Sequence, residues 1–189
     1  MRFARQCSMF CLVATIAALF TTACNRGRGV EAAREDRAPN ATPAEQDFMM
    51  KGAMANLSEI AMARLALTKS RSEDVKDFAN MIERDHQAAL EDLTDLMKEK
   101  GVSLPRTLSP ETKMDIEALT ALSGPELDRQ FVNNMVADHQ KALEMFRDQV
   151  NIARSPDVRK YAEGLLPKLE MHLEKAQRLQ SKLFAGGRK

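Results

Sequence analysis

The chain has 189 residues, enough for one domain with a real core, and its 28 Lys+Arg nearly balance 27 Asp+Glu. There is no basic patch with interleaved aromatics, Tyr occurs once and Trp never, so nucleic-acid binding and stacking on bases or sugars find little support. Ala, Leu, Met, Glu, Lys and Arg dominate, as an all-helical protein prefers.

The first segment, 1–23, reads as a secretory signal peptide of lipoprotein type. Arg2 and Arg5 form a short basic region, and Met9 to Phe20 is an apolar run too short for a confident membrane span. It ends in Thr21-Thr22-Ala23-Cys24, small residues before a cysteine, with Thr21 where such signals usually carry Leu. Cys7 and Cys11 fall inside the signal, which leaves Cys24 as the single cysteine of a mature chain and rules out an internal disulfide. Lipidation at Cys24 gives that thiol a use, and the alternative is plain cleavage near Ala23. A membrane partner through the anchor follows, with the folded part facing the periplasm. By resemblance to proteobacterial lipoproteins, Asn25 rather than Asp after the anchor implies sorting to the outer membrane. Residues 24–42 carry Gly, Arg and Pro without an apolar period and read as a disordered tether, with a reach of roughly 20–25 Å.

Beyond the tether, capping residues mark the helix starts. Thr42-Pro43-Ala44-Glu45 offers a cap, Pro at the first helical position and Glu at the third, and predicts helix α1 over 43–69. Ser70-Arg71-Ser72-Glu73 starts α2, over 72–100, which Gly101 stops. Ser109-Pro110-Glu111 starts a short α3 over 110–121. Ser123-Gly124-Pro125-Glu126 reads as another capping box, opening α4 over 124–152. Ser155-Pro156-Asp157 opens α5 over 156–184, which Gly186-Gly187 stop. The α1–α2 and α4–α5 connections are short, so each pair is an antiparallel hairpin. The connection 101–123 can travel the full height of a bundle, which makes α2 and α4 parallel. The fold class is therefore all-α: an antiparallel four-helix bundle over 43–184 with one long crossover carrying a short helix.

Each long helix carries one polar, metal-competent side chain near the middle of its apolar stripe. The stripes run Phe48, Gly52, Ala55, Glu59, Met62, Ala66; Val75, Phe78, Ile82, His86, Ala89, Leu93, Leu96; Leu127, Phe131, Met135, His139, Ala142, Phe146; and Val158, Ala162, Leu165, Leu169, His172, Ala176, Leu179, Leu183. Counted from the helix starts, all four land about 14–16 residues in, near mid-height. A buried imidazole or carboxylate is costly unless paired or coordinated, so four at one depth point to one site.

Glu59, His86, His139 and His172 form a candidate first shell for Zn, Fe, Mn or Cu. Asp85 and Asp138 each precede a histidine and can orient an imidazole on the next helix or pair with surface cations. Glu83-x-x-His86 has the spacing of a di-iron motif, but Leu169-x-x-His172 breaks the second copy and His139 stands where a Glu is needed, which disfavours a carboxylate-bridged oxidase. Met54, Met62, Met81, Met135, Met145 and Met171 read as adaptable core filler rather than a copper set. Pro167 removes a backbone hydrogen bond one turn before His172; the resulting kink either aims the ring inward or is simply tolerated. The alternative to a metal site is a polar network that sets helix register.

Several stretches together resemble the bacterial domain-of-unknown-function family numbered 4142: Leu57-Ser58-Glu59-Ile60, Phe78-Ala79-Asn80-Met81-Ile82 running to Asp85-His86, Gly101-Val102-Ser103-Leu104-Pro105, Leu122-Ser123-Gly124 with Phe131, Met135 and His139, and Leu166-Pro167 with His172-Leu173. The resemblance covers about residues 45–183. It implies a ferritin-like bundle in the cell envelope and carries over Glu59, His86, His139 and His172, but implies no activity. Two functions are expected from these readings. One is an exported lipoprotein that binds a transition metal, for buffering or redox work. The other is a non-catalytic envelope scaffold or stress-related binding module whose polar layer is structural.

Overall fold

The computed structural model describes residues 41–185, and all regular structure among them is helical. The signal peptide, Cys24, most of the tether and the Gly186-Gly187 stop lie outside the described residues. Five helices follow in order: α1 Pro43–Lys69, α2 Glu73–Glu99, α3 Pro110–Ala121, α4 Gly124–Ile152 and α5 Pro156–Ala185.

The helix ends form for local reasons. At α1 the capping box is complete: Thr42 Oγ1 accepts from the Glu45 N–H, and Glu45 Oε2 accepts from the Thr42 N–H at 2.8 Å. Ala41 is buried, so the last tether residues belong to the packed unit. Ser72 and Ser109 cap α2 and α3 through their hydroxyls. Ser123 does not: it holds the N-cap position of α4 but makes no side-chain cap hydrogen bond. Gly124 follows at φ +56°, and this left-handed turn redirects the chain before its hydroxyl can reach the helix N–H groups. α2 ends in a Schellman motif, with Gly101 at φ +70°, its N–H donating to the Lys98 carbonyl, and the Val102 N–H donating to the Met97 carbonyl at 2.8 Å. α5 runs unbroken through Pro167, which has no N–H to donate.

Contacts between helices set the topology. Phe48, early in α1, packs edge-on against Phe146, late in α4, with centroids 5.0 Å apart, so α1 and α4 are antiparallel. Lys182 pairs with Asp74, His172 with Asp85 and Asp157 with Lys100, so α5 is antiparallel to α2. With both hairpins antiparallel, α2 and α4 run the same way, and the segment between them crosses the length of the bundle. On the way α3 packs on α1 and buries Leu119. This is the one-crossover, ferritin-like arrangement.

The core is divided in two. Met62, Ala66, Phe78, Ile82, Phe131 and Leu179 belong to one apolar cluster, and Phe48, Ala53, Leu93, Phe146, Ala162 and Leu169 to the other. The layer containing Glu59, His86, His139 and His172 falls between them.

A second buried polar group lies at the far end. Glu45 is 2% exposed, and beyond its part in the cap its Oε1 accepts from the N–H groups of Arg154 and Ser155, at 2.9 and 2.7 Å. One carboxylate thus ties the start of α1 to the α4–α5 turn. Burial pushes its pKa up, but the backbone donors of Ser155, Thr42 and Arg154 together outweigh this and hold it below the usual value. A lowered folded pKa gives stability that is fully present above the unfolded value, near 4.5, and is lost as pH falls through the folded one. Glu45→Gln is therefore expected to cost about 2 kcal/mol at pH 7, the scale of a lost charged hydrogen bond. In urea melts the difference from wild type should shrink towards zero in acid, and a difference independent of pH would refute the assignment.

Candidate metal centre

The four residues named from the stripes are all buried: Glu59 at 2% exposure, His86 at 6%, His139 at 0% and His172 at 1%. The three rings come together, with centroids 5.2–5.4 Å apart. One nitrogen from each of His86, His139 and His172 lies within 4.8 Å of the others. Glu59 stands beside this set, its Oε2 at 3.2 Å from His86 Nε2 and 3.5 Å from His139 Nδ1.

Each ring is held from outside by a hydrogen-bond acceptor. His86 Nδ1 meets Asn56 Oδ1 at 2.9 Å, and the Asn56 amide nitrogen donates to the Gly52 carbonyl, so its oxygen is the atom left to accept. His139 Nδ1 meets the Met135 carbonyl at 2.9 Å, and His172 Nε2 meets Asp85 Oδ2 at 3.0 Å. An acceptor opposite a ring nitrogen places the proton on that nitrogen. In the neutral rings, His86 Nε2, His139 Nε2 and His172 Nδ1 then all carry lone pairs.

Burial keeps the rings neutral. It pushes His86 far below the usual histidine pKa, helped by the other two rings, and takes His139 down to about 4. His172 is also lowered, mainly by burial, although Asp85 pulls the other way. Two consequences follow. His139 Nε2 and His172 Nδ1 face each other at 3.1 Å, and if both outer hydrogen bonds are kept no proton remains to lie between them. His86 Nε2 and Glu59 Oε2 are buried 3.2 Å apart, and neither has a hydrogen-bond partner among the described residues. Opposed lone pairs and orphaned buried atoms are unfavourable by themselves and are what a cation relieves.

The donor set fits a transition metal. An N···N separation of 3.1 Å corresponds to roughly 100° at an ion bound at ~2.0–2.1 Å, close to tetrahedral. The widest pair, within 4.8 Å, must draw in by up to about 1.4 Å to reach a tetrahedral separation. A cavity of about 30 Å³ adjoins the layer, lined by Glu59, His86, His172, Asn56, Asp85, Lys168 and apolar residues; it has room for an ion or a water but not an organic substrate. The outer acceptors on all three rings match the way metal-binding histidines are oriented.

Glu59 differs from the rings. Burial raises its pKa well above the usual carboxyl value, and Asp138 adds to the effect. Glu83 takes no part: its Oε1 accepts from Arg64 Nε at 2.7 Å on the bundle exterior. Asp85 orients an imidazole on another helix, α5. Asn56 is the residue that the sequence reading missed. It lies four residues after Gly52 and three before Glu59, so the stripe could have passed through it; Ala55, chosen instead, is only half-buried.

The sequence profile of the domain of unknown function DUF4142 matches residues 30–179. The chain belongs to the DUF4142 family. No curated protein matches it. Among solved structures, the DUF305 fragment from Deinococcus radiodurans is similar with a TM-score of 0.69 at 20% identity, over 76% of this chain and 99% of that one. CopM in its Cu(I)-bound form is similar with a TM-score of 0.63 at 19% identity, over 73% and 96%. A dodecameric thioferritin related to bacterioferritin, from Bacteroides fragilis, is similar with a TM-score of 0.61 at 11% identity, over 84% and 96%. At these identities the likeness establishes the ferritin-like fold of this DUF4142 member.

The pKa directions give a pH dependence for the metal-free protein. Rings with lowered folded pKa take up protons first in the unfolded state, so stability falls as pH drops below about 6.5. Glu59 acts in the opposite sense, because its folded carboxyl is protonated before the unfolded one. Three rings against one carboxyl leave a net loss. The melting temperature of the apo protein should therefore decline from pH 7 to pH 4, and the decline should weaken in His139→Phe; a flat profile would contradict the neutral layer.

Proposed function

We propose that this protein binds one transition-metal ion through His86, His139 and His172, with Glu59 as the adjoining carboxylate, and serves as a metal-buffering or redox module of the cell envelope. The observation that carries the reading is three buried rings whose outer nitrogens meet Asn56, Met135 and Asp85, which leaves their other nitrogens to face one another within 4.8 Å. A polar layer serving register alone is better served by rings that hydrogen-bond one another without opposed lone pairs. The similarity to CopM, which is solved in Cu(I)-, Ag- and Cu(II)-bound forms, supports a metal role on this fold and puts copper among Zn, Fe, Mn and Cu as candidates. Export and lipid anchoring rest on the segment ending at Cys24, and outer-membrane sorting on Asn25. No described helix is long and apolar enough to cross a membrane, so the proposed membrane link is the anchor.

The metal would supply Lewis acidity or electron transfer, and the chain's own residues do the rest. The outer acceptors fix each ring's tautomer, the two apolar clusters exclude water, and Glu59 would set a carboxylate beside the ion.

Elemental analysis after loading with Zn, Fe, Mn or Cu is expected to find about one ion per chain. His86→Ala with His139→Ala should hold none. Added metal should raise the wild-type melting temperature, because it binds the folded state alone, and leave the double variant unmoved. Asp85→Asn should weaken affinity about 10- to 100-fold, the usual scale for a residue that orients a ligand. A wild-type protein that takes up none of these metals would overturn the reading and favour the structural-layer alternative.

A further inference from the structure

Two surface grooves approach the cavity behind the imidazoles. One, of about 410 Å³, lies between α2 and α5, carries Asp92, Asp95 and Glu99, and shares only Leu165 with the cavity lining. The other, of about 230 Å³, lies between α1 and α4 beside α3 and shares Ala55, Glu59, Ala142 and Met145 with it. Glu59 therefore lines both the groove and the cavity.

This second groove has the chemistry of a cation path. Asp115 from α3 and Asp138 from α4 line it. Lys51 and Lys141 line it too, and Lys51 is engaged with Asp47 at 2.7 Å. At its inner limit Glu59 is 2% exposed, and its Oε2, set against the rings of His86 and His139 at 3.2 and 3.5 Å, has no hydrogen-bond partner among the described residues. A buried acceptor without a donor is costly unless something positive reaches it. The wall between groove and cavity includes two alanines, which occupy little space, and Met145, whose unbranched thioether is mobile and a ligand for soft ions.

We propose that the α1–α4 groove is the ion's route to the buried rings, with Asp115 and Asp138 as an outer receiving site and Glu59 as the carboxylate that passes the ion inward. This rests on the metal-binding reading above and adds to it a path and a second, weaker site. It also gives the crossover helix a purpose, because α3 carries Asp115 over the groove.

The test uses the full chain, freed of metal and mixed rapidly with Co(II), whose visible absorption reports occupation of a nitrogen-rich site. Wild type should fill to about one Co(II) per chain. Asp115→Asn with Asp138→Asn should reach the same endpoint about tenfold more slowly, at the low end of what electrostatic focusing contributes to association. Ser58→Phe, which narrows the groove, should also slow filling. Asp115 is exposed, so Asp115→Asn alone keeps the test valid if the double variant folds poorly. Asp92→Asn with Asp95→Asn, in the other groove, should fill at the wild-type rate. Wild-type kinetics in the Asp115 and Asp138 variants, or slowing by the Asp92 pair instead, would overturn the route while leaving the inner site standing. A wild type that binds no Co(II) would remove the inner site and the route together.

Discussion

Everything in this molecule is arranged around the cost of placing a carboxyl and three imidazoles in the middle of an apolar core. Burial by itself disfavours each of their charged forms, and it drives the rings and Glu59 toward neutrality. Neutral rings still need a donor and an acceptor each. The bundle supplies acceptors on the outside only: an asparagine amide, a backbone carbonyl and an aspartate. The layer is therefore satisfied at its rim, while His86 Nε2 and Glu59 Oε2 at its centre have no hydrogen-bond partner among the described residues.

The topology makes this possible. α1 is covered by α2, α4 and α3, so its buried face is wide, and both Asn56 and Glu59 turn away from water on it. Gly52 helps: a Cβ there would meet the Leu93 side chain at 3.3 Å, so its absence lets α1 and α2 draw close where the Asn56–Gly52 bond forms. The Glu45 carboxylate at one end and the α3 packing at the other then set the axial position of α1, and with it the height of Glu59.

Much of this was legible in the sequence, for identifiable reasons. Every stripe residue on α2 and α4 is buried, including His86 and His139, although Ala79, Met81 and Met97 on α2 and Asp128, Val132, Leu143 and Gln149 on α4 are buried beside the stripe. On α1 the stripe passes over buried Asn56 and includes half-buried Ala55. Leu165 and Leu183 on α5 are also only half-buried; Leu165 lies where the cavity and a surface groove meet. Ser123 had the right residue type for a cap, but the left-handed Gly124 after it is a backbone property that a capping pattern does not encode. The side on which Asp85 and Asp138 act was not legible either, because it depends on the rotation of each helix about its axis and not on spacing along it.

Charge balance limits what the layer can hold. Two divalent ions would bring four positive charges into a region whose one inner carboxylate is Glu59. Glu83, the residue whose spacing points to a di-iron motif, is committed to Arg64 on the outside. Uncompensated charge in a low-dielectric interior is among the most expensive states a protein can adopt. One ion is different. Glu59 can neutralise one positive charge directly, and Asp85, held below the usual carboxylate range by its hydrogen bond from His172 and by Arg84 and Lys168 despite burial, meets a second through the imidazole between them. The cavity of about 30 Å³ sets the same limit by volume. Charge and space thus converge on a single ion, and they separate this layer from the carboxylate-rich pairs that the same bundle architecture supports when each helix contributes an acid.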